Sequence, residues 1–214
     1  MPLILPASDP AARERAAEAL RRGELVVLPT DTVYGLAAWP WNAAALARIY
    51  AAKGRPDAKA IPVLVGDPGH LAQVTASLPP CAERLAARFW PGALTLVVPK
   101  HPNLPLALSP YPTVGVRMPA HEDALALLRL TGPLAVTSAN RSGAAPARTA
   151  AEAVAQLGDA VAVVLDAGLA PGGLPSTVAD CTTTPPRVLR PGPVVFNAIE
   201  ALCRDAGGVR ADDH

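Results

Sequence analysis

The chain has 214 residues, is half apolar with only 4% aromatics, and carries a formal charge of +1. That suffices for one sizeable core, whereas a near-neutral balance with no basic block argues against a protein that lives on nucleic-acid backbone. No stretch approaches the eighteen or so apolar residues of a membrane span, and the start "MPLILPASDP" lacks the basic region and apolar core of a signal peptide, so a cytoplasmic setting is expected.

In chain order, Ser8 or Asp9 can cap a first helix, "AARERAAEALRR", with Pro10 at its first position and Gly23 past its end. "ELVVL" reads as a strand that stops at Pro29. It exits into "LPTDTVYGLA", residues 28–37, where three short polar side chains precede a resumed apolar run. Asn42 can cap "AAALARIYAAK", which Gly54 ends. "IPVLV", "ALTLVV" and "TVGVRM" are strands, separated by the amphipathic "PPCAERLAARFW" between the first two and followed by the helix "HEDALALLRL". "PLAVTSA" is a further strand. Thr149 and Glu152 form a capping box for "TAAEAVAQLG", then "AVAVVLD", "STVAD" and "RVLR" complete the strands and "VVFNAIEALCRDAG" the helices.

Helices and strands alternate, and the strands read as apolar runs. The pattern predicts an α/β protein: an open, twisted, mixed β-sheet flanked by helices, as one domain over 1–207 with a frayed tail over 208–214. Sites in such sheets gather at loops beyond the strand ends. Cys81, Cys181 and Cys203 form no C-x-x-C pair and no ligand spacing with the four histidines, which argues against structural zinc or a disulfide framework.

No Walker A loop, G-x-G-x-x-G, G-x-S-x-G or H-E-x-x-H is present. An anion site must therefore be assembled from separate loops. Two of the three lysines, Lys53 and Lys59, flank Arg55 in "KGRPDAK". They suit either a solvated basic helix end or a grip on phosphates. "VTSANRSG" ends a strand in Thr137, Ser138 and Asn140, either as a capped turn or as a hydrogen-bonding rim. Arg117 follows an apolar alternation, where a charge needs an ion-pair partner or a carboxylate ligand. Ser176 and Arg190 each mark a strand end. Cations, hydroxyls and amides without a nucleophile–base pair suit binding of an anionic nucleotide and a small polar substrate better than covalent hydrolysis.

Taken in order, "LPTDTVYGLA", "KGRP", "TVGVRMPAH", "TSANRSG", "STVAD" and "LRPG" resemble the YrdC-type threonylcarbamoyl-AMP synthases over about residues 10–195. The resemblance implies the YrdC-like fold and a nucleotidyltransferase. L-threonine, bicarbonate and ATP would give threonylcarbamoyl-AMP and pyrophosphate, with Mg²⁺ carried on the ATP phosphates and no side-chain nucleophile or protein-held metal. It implies threonine contacts at Thr32, Arg117, Ser138 and Ser176, with Thr30 and Asp31 shaping the turn. Nucleotide contacts are implied at Lys53, Arg55, Lys59, Thr113, Asn140, Arg190 and either Thr149 or Arg148. Leu64 stands where some members carry histidine. The partner implied is a downstream tRNA threonylcarbamoyl transferase complex. The rival reading is a non-catalytic RNA- or ribosome-binding module of the same fold, and weak RNA binding could accompany the enzyme. No membrane partner is expected.

Overall fold

The structure is a computed structural model that describes residues 1–54 and 59–204. Ten strands form one sheet: β1 (Leu3–Pro6), β2 (Val26–Leu28), β3 (Gly35–Ala38), β4 (Val63–Leu64), β5 (Leu94–Pro99), β6 (Thr113–Arg117), β7 (Leu134–Ser138), β8 (Val163–Asp166), β9 (Thr177–Asp180) and β10 (Arg187–Arg190). Their spatial order is β1-β8-β2-β3-β7-β4-β6-β5-β9-β10. The pairs β1/β8, β2/β8, β4/β6 and β5/β9 are parallel, and the others antiparallel. The expected mixed α/β sheet is thus present.

Among the described residues seven α-helices accompany it: α1 (Pro10–Arg21), α2 (Ala43–Lys53), α3 (Leu71–Val74), α4 (Pro80–Phe89), α5 (Glu122–Thr131), α6 (Ala150–Leu157) and α7 (Phe196–Arg204). Local chemistry sets their ends. Asp9, rather than Ser8, caps α1 by accepting from the Ala11 amide at 2.9 Å. Asn42 accepts from the Ala45 amide at 3.0 Å, and Gly54 closes α2 at φ 56°, a left-handed cap that suits glycine.

Three elements escaped the sequence reading, the one-turn helix α3 among them. Leu3–Pro6 is an edge strand on β8, bracketed by Pro2 and Pro6, which blunt an otherwise open edge. The apolar resumption after Tyr34 is β3, which pairs with β2 through Leu28↔Gly35 and with β7 through Gly35↔Ser138. "LPTDTVYGLA" is therefore a turn between two central strands. Four residues was too short a run to stand out from a docked loop.

Side chains alternate across the strands, and the two faces of the sheet are covered differently. On one face Val63, Leu94, Leu96, Val98, Val114, Val116 and Ala135 join Leu46, Ile49, Leu85, Ala153 and Ile199 of α2, α4, α6 and α7 in the larger core. On the other face α1 and α5 cover β8, β2 and the nearer ends of β4 and β7. There Leu20, Leu127 and Leu128 pack on Val26, Leu64, Val136 and Val163. Each such leucine contributes roughly 1.5–3 kcal/mol by burial. Over β5, β6 and β9 that second face carries no helix among the described residues, and the site lies there. Among the described residues no helix is long and apolar enough to cross a membrane.

The absence of disulfides expected from spacing is overturned. Cys81 on α4 and Cys203 on α7 are bonded, with Cα atoms 5.1 Å apart across 122 residues. Only the packing of α7 on α4 brings them together, so no sequence spacing could show it. Cys181 is free and buried.

Candidate functional site

The uncovered face holds a cavity of about 360 Å³, within the size range of small-molecule sites. Its floor is the alternate set of strand residues: Thr95 and Val97, Thr113, Gly115 and Arg117, Val136 and Ser138, Ser176 and Val178. Leu96, Val114 and Val116 between them face the core, whereas Thr137 also lines the cavity. The site thus spreads over the face of the sheet as well as the strand ends. The expectation that it would sit beyond those ends described only its rim. Gly115 keeps this floor low, since a Cβ there would lie 3.2 Å from Thr95 Cγ2 and press on it.

Register divides the cavity into two ends. Leu96 pairs with Val116, and Leu94 with Thr177, so Thr95, Arg117 and Ser176 cluster at one end. Pro99 pairs with Thr113, and the β4 register sets Ser138 level with Thr113 at the other end. Four residues of strand separate Thr113 from Arg117, about 13 Å.

At the first end Arg117 is 5% exposed. Its Nε donates to the Gly92 carbonyl at 2.8 Å, Nη1 to Thr32 Oγ1 at 2.9 Å and Nη2 to Asp31 Oδ1 at 2.5 Å. Burial pulls the guanidinium below its ordinary range, Asp31 opposes that, and Arg190 adds to the fall. Thr30 shapes the turn as expected, its Oγ1 accepting from the amides of Thr32 and Val33 and donating to the Val33 carbonyl at 2.6 Å. Asp31 does more than shape it, since it is the ion-pair partner of Arg117. Ser176 Oγ lies 2.8 Å from Thr95 Oγ1. Arg190, read from sequence as a phosphate contact, stands at this end. Its Nε and Nη2 donate to the Ser176 carbonyl at 3.0 and 2.8 Å, and burial lowers its pKa.

At the second end Thr113 and Ser138 line the cavity beside Ala60 and the half-exposed Tyr111. Lys53 is 4% exposed. Its ammonium donates to the Ser138 carbonyl and, at 2.6 Å, to the Asn140 carbonyl, fastening the end of α2 beneath the loop after β7. Asn140 closes that loop by donating to the carbonyls of Arg141 and Ala144, both at 2.8 Å. Lys59 is exposed next to Ala60. Thr149 lies outside the lining, where its Oγ1 caps α6 by accepting from the Glu152 amide, and the Arg148 amide donates to Glu152 Oε2 at 2.7 Å. Arg55 lies outside the described residues. Leu64 lines the floor as a plain apolar group.

The structure therefore brings Thr32, Thr113, Arg117, Ser138, Ser176 and Arg190 onto one cavity, with Lys53 and Asn140 directly behind its wall. The sequence reading missed Thr95 as a wall residue and Asp31 as a counter-ion. Thr95 is the one hydroxyl in "ALTLVV", a polar residue in an apolar strand, and that signal was available. Among the described residues no histidine, cysteine or carboxylate lines the cavity, and no group of three or more His, Cys, Asp and Glu could hold a metal.

An α/β sheet with one face left open over a hydroxyl- and arginine-lined hollow defines a protein that binds small anionic or zwitterionic molecules. The family is explicit in the comparisons: the Sua5/YciO/YrdC model, described as telomere recombination, matches residues 18–192, and the chain belongs to that family. A Mycobacterium tuberculosis protein provisionally named a threonylcarbamoyl-AMP synthase is 46% identical over 208 residues, covering 94% of this chain and 96% of its own. The Bacillus subtilis threonylcarbamoyl-AMP synthase is 44% identical, covering 92% of this chain and 58% of its own. Among solved structures, Pyrococcus abyssi Sua5 complexed with L-threonine superposes with a TM-score of 0.89 at 38% identity, over 94% of this chain and 60% of that one. The chain thus spans about 60% of that longer relative.

Proposed function

We propose that this chain is a nucleotidyltransferase that forms threonylcarbamoyl-AMP and pyrophosphate from L-threonine, bicarbonate and ATP. The observation that carries the reading is the convergence of Thr32, Arg117, Ser138 and Ser176, from four separate segments, on one cavity with two chemically distinct ends. The names of the relatives, and the threonine complex of the Pyrococcus protein, support it.

On this reading threonine occupies the end with Thr32, Arg117, Thr95 and Ser176. Its carboxylate meets the Arg117 guanidinium, a charge-assisted fork. ATP occupies the end with Thr113 and with Ser138, which was expected as a threonine contact. Arg55 and Lys59 are the proposed phosphate contacts, while Lys53, expected as another, acts from behind the wall through the Ser138 and Asn140 carbonyls. Asn140 and Thr149 hold the neighbouring loop and helix start. Arg190, held on the Ser176 carbonyl, stands at the threonine end. Among the described residues the lining offers no carboxylate for a protein-held metal, and Mg²⁺ enters as part of the MgATP substrate.

Carbon dioxide derived from bicarbonate adds to the deprotonated threonine amine, forming a C–N bond and an N-carboxylate. A carboxylate oxygen then attacks the α-phosphorus, the bond to the β-phosphate bridging oxygen breaks, and pyrophosphate leaves. The substrate supplies the nucleophile, so the wall needs only orientation and fixed positive charge. The product would pass to a tRNA threonylcarbamoyl transferase complex in the cytoplasm.

The test is pyrophosphate release with MgATP and bicarbonate. Release that requires threonine, and falls sharply with serine in its place, is expected. Release indifferent to threonine would refute the reading.

A further inference from the structure

The bonds around Arg117 leave a specific remainder. A guanidinium has five N–H donors. Among the described residues three are taken: Nε–H by Gly92, one Nη1–H by Thr32 and one Nη2–H by Asp31. One N–H on each terminal nitrogen is left. Such a pair can meet both oxygens of a carboxylate, provided the plane of the fork is fixed.

Three contacts fix it, and Asp31 is the only charged one. Asp31 is not among the residues that line the cavity, and its carboxylate is paired with the guanidinium. The turn that carries it is itself backed. Gly172 packs so closely that a Cβ there would lie 2.6 Å from the Asp31 carbonyl oxygen, and the Gly173 amide donates to the Thr32 carbonyl at 2.8 Å. Charge points the same way. Arg117 is buried and Arg190 more exposed at this end, and among the described residues Asp31 is the carboxylate paired there. Two cations against one anion leave a single positive charge facing the cavity, matched to one carboxylate.

We infer that Asp31 is a positioning residue for amino-acid recognition: it acts through Arg117, holding the guanidinium so that its two remaining N–H groups face the substrate carboxylate. This rests on the proposed function for the identity of the substrate and goes beyond it in giving a role to a residue outside the cavity. It makes a prediction that a merely structural role would not. Only the amino-acid requirement should respond to Asp31, because its side-chain bond runs to Arg117 and not to Thr113 or Ser138 at the ATP end.

The experiment compares wild type, Asp31→Ala and Asp31→Asn in threonine-dependent pyrophosphate release, with threonine binding by calorimetry alongside. Asp31→Ala should raise KM and Kd for threonine at least about 10-fold, with kcat and the KM for ATP within about threefold of wild type. Asp31→Asn keeps an oxygen acceptor at the same place and should restore most of the affinity. Should the alanine variant fail to fold, the asparagine variant decides alone: its threonine Kd must then rise between about two- and tenfold. A threonine KM within twofold of wild type in the folded alanine variant overturns the inference. So does a joint rise for threonine and ATP, or a fall in threonine KM, which would make Asp31 a competitor of the substrate. A wild-type protein that neither binds threonine nor releases pyrophosphate refutes the proposed function instead, so the two failures are distinguishable.

Discussion

Arg117→Lys keeps the charge and removes the fork, and its two consequences can be worked from the bonds. Three nitrogens of Arg117 reach three partners, at 2.8, 2.9 and 2.5 Å. A lysine ammonium is one nitrogen on a flexible stem and can keep only the Asp31 pair. The bonds to the Gly92 carbonyl and Thr32 Oγ1 are lost. At roughly 0.5–1.5 kcal/mol each, and more from a charged donor, the folded state loses about 2–4 kcal/mol. For a domain of this size that lowers Tm by about 5–15 °C. Threonine binding loses its second N–H contact, and a change of about 1.5–3 kcal/mol raises its KM about 10- to 150-fold. The KM for ATP, seated at the other end, should stay within about threefold. Thermal denaturation and pyrophosphate-release kinetics on the same preparation measure both effects. A folded Arg117→Lys protein whose threonine KM lies within threefold of wild type, or whose two KM values climb together, refutes the assignment of the amino-acid end.

Lys53→Ala removes the ammonium that ties the Ser138 and Asn140 carbonyls behind the ATP end. It should lower Tm and raise the KM for ATP, and a variant unchanged in both would show that this tie does not hold the wall. Thiol titration of the denatured, unreduced protein should find one free thiol, that of Cys181, and three after reduction; three before reduction would deny the Cys81–Cys203 bond. Reduction, or Cys203→Ser, should cost about 2–4 kcal/mol of stability, read as a lower urea midpoint. Burial pushes the Tyr34 phenol and the Cys181 thiol each up to about 12. The folded state therefore holds protons that the unfolded chain releases at its lower, ordinary pKa values. Stability should be level below about pH 8.5 and fall between there and pH 12, and Tyr34→Phe should flatten the upper part of that fall in urea titrations at stepped pH.

How far the chain announced this structure varies with the range of the interaction. The alternation Thr113, Gly115, Arg117 against Val114 and Val116 is local, so one face of β6 could be read as different before any fold was known. The caps Asp9, Asn42 and Thr149 were equally local. That the special face would be left uncovered was not legible, because it depends on where α1 and α5 come to rest. Arg117 clearly needed a partner, yet both options were open in the sequence: an ion pair or a ligand. The geometry supplies the ion pair through Asp31 and still leaves two donors free among the described residues. Lys53 read as a solvated or phosphate-gripping cation, whereas its ammonium is turned inward onto two carbonyls 85 and 87 residues away. The disulfide spans 122 residues. Such pairings are set by tertiary packing, and no periodicity encodes them.

The central claim is that the open sheet face seats the free amino acid with its carboxylate on Arg117. The direct measurement is a crystal structure of this protein soaked with L-threonine. The account predicts the carboxylate within hydrogen-bonding distance of the Arg117 guanidinium and the side-chain hydroxyl near Thr32, Thr95 or Ser176. Threonine bound at saturation with its carboxylate anywhere else, or an empty cavity at that concentration, would contradict it.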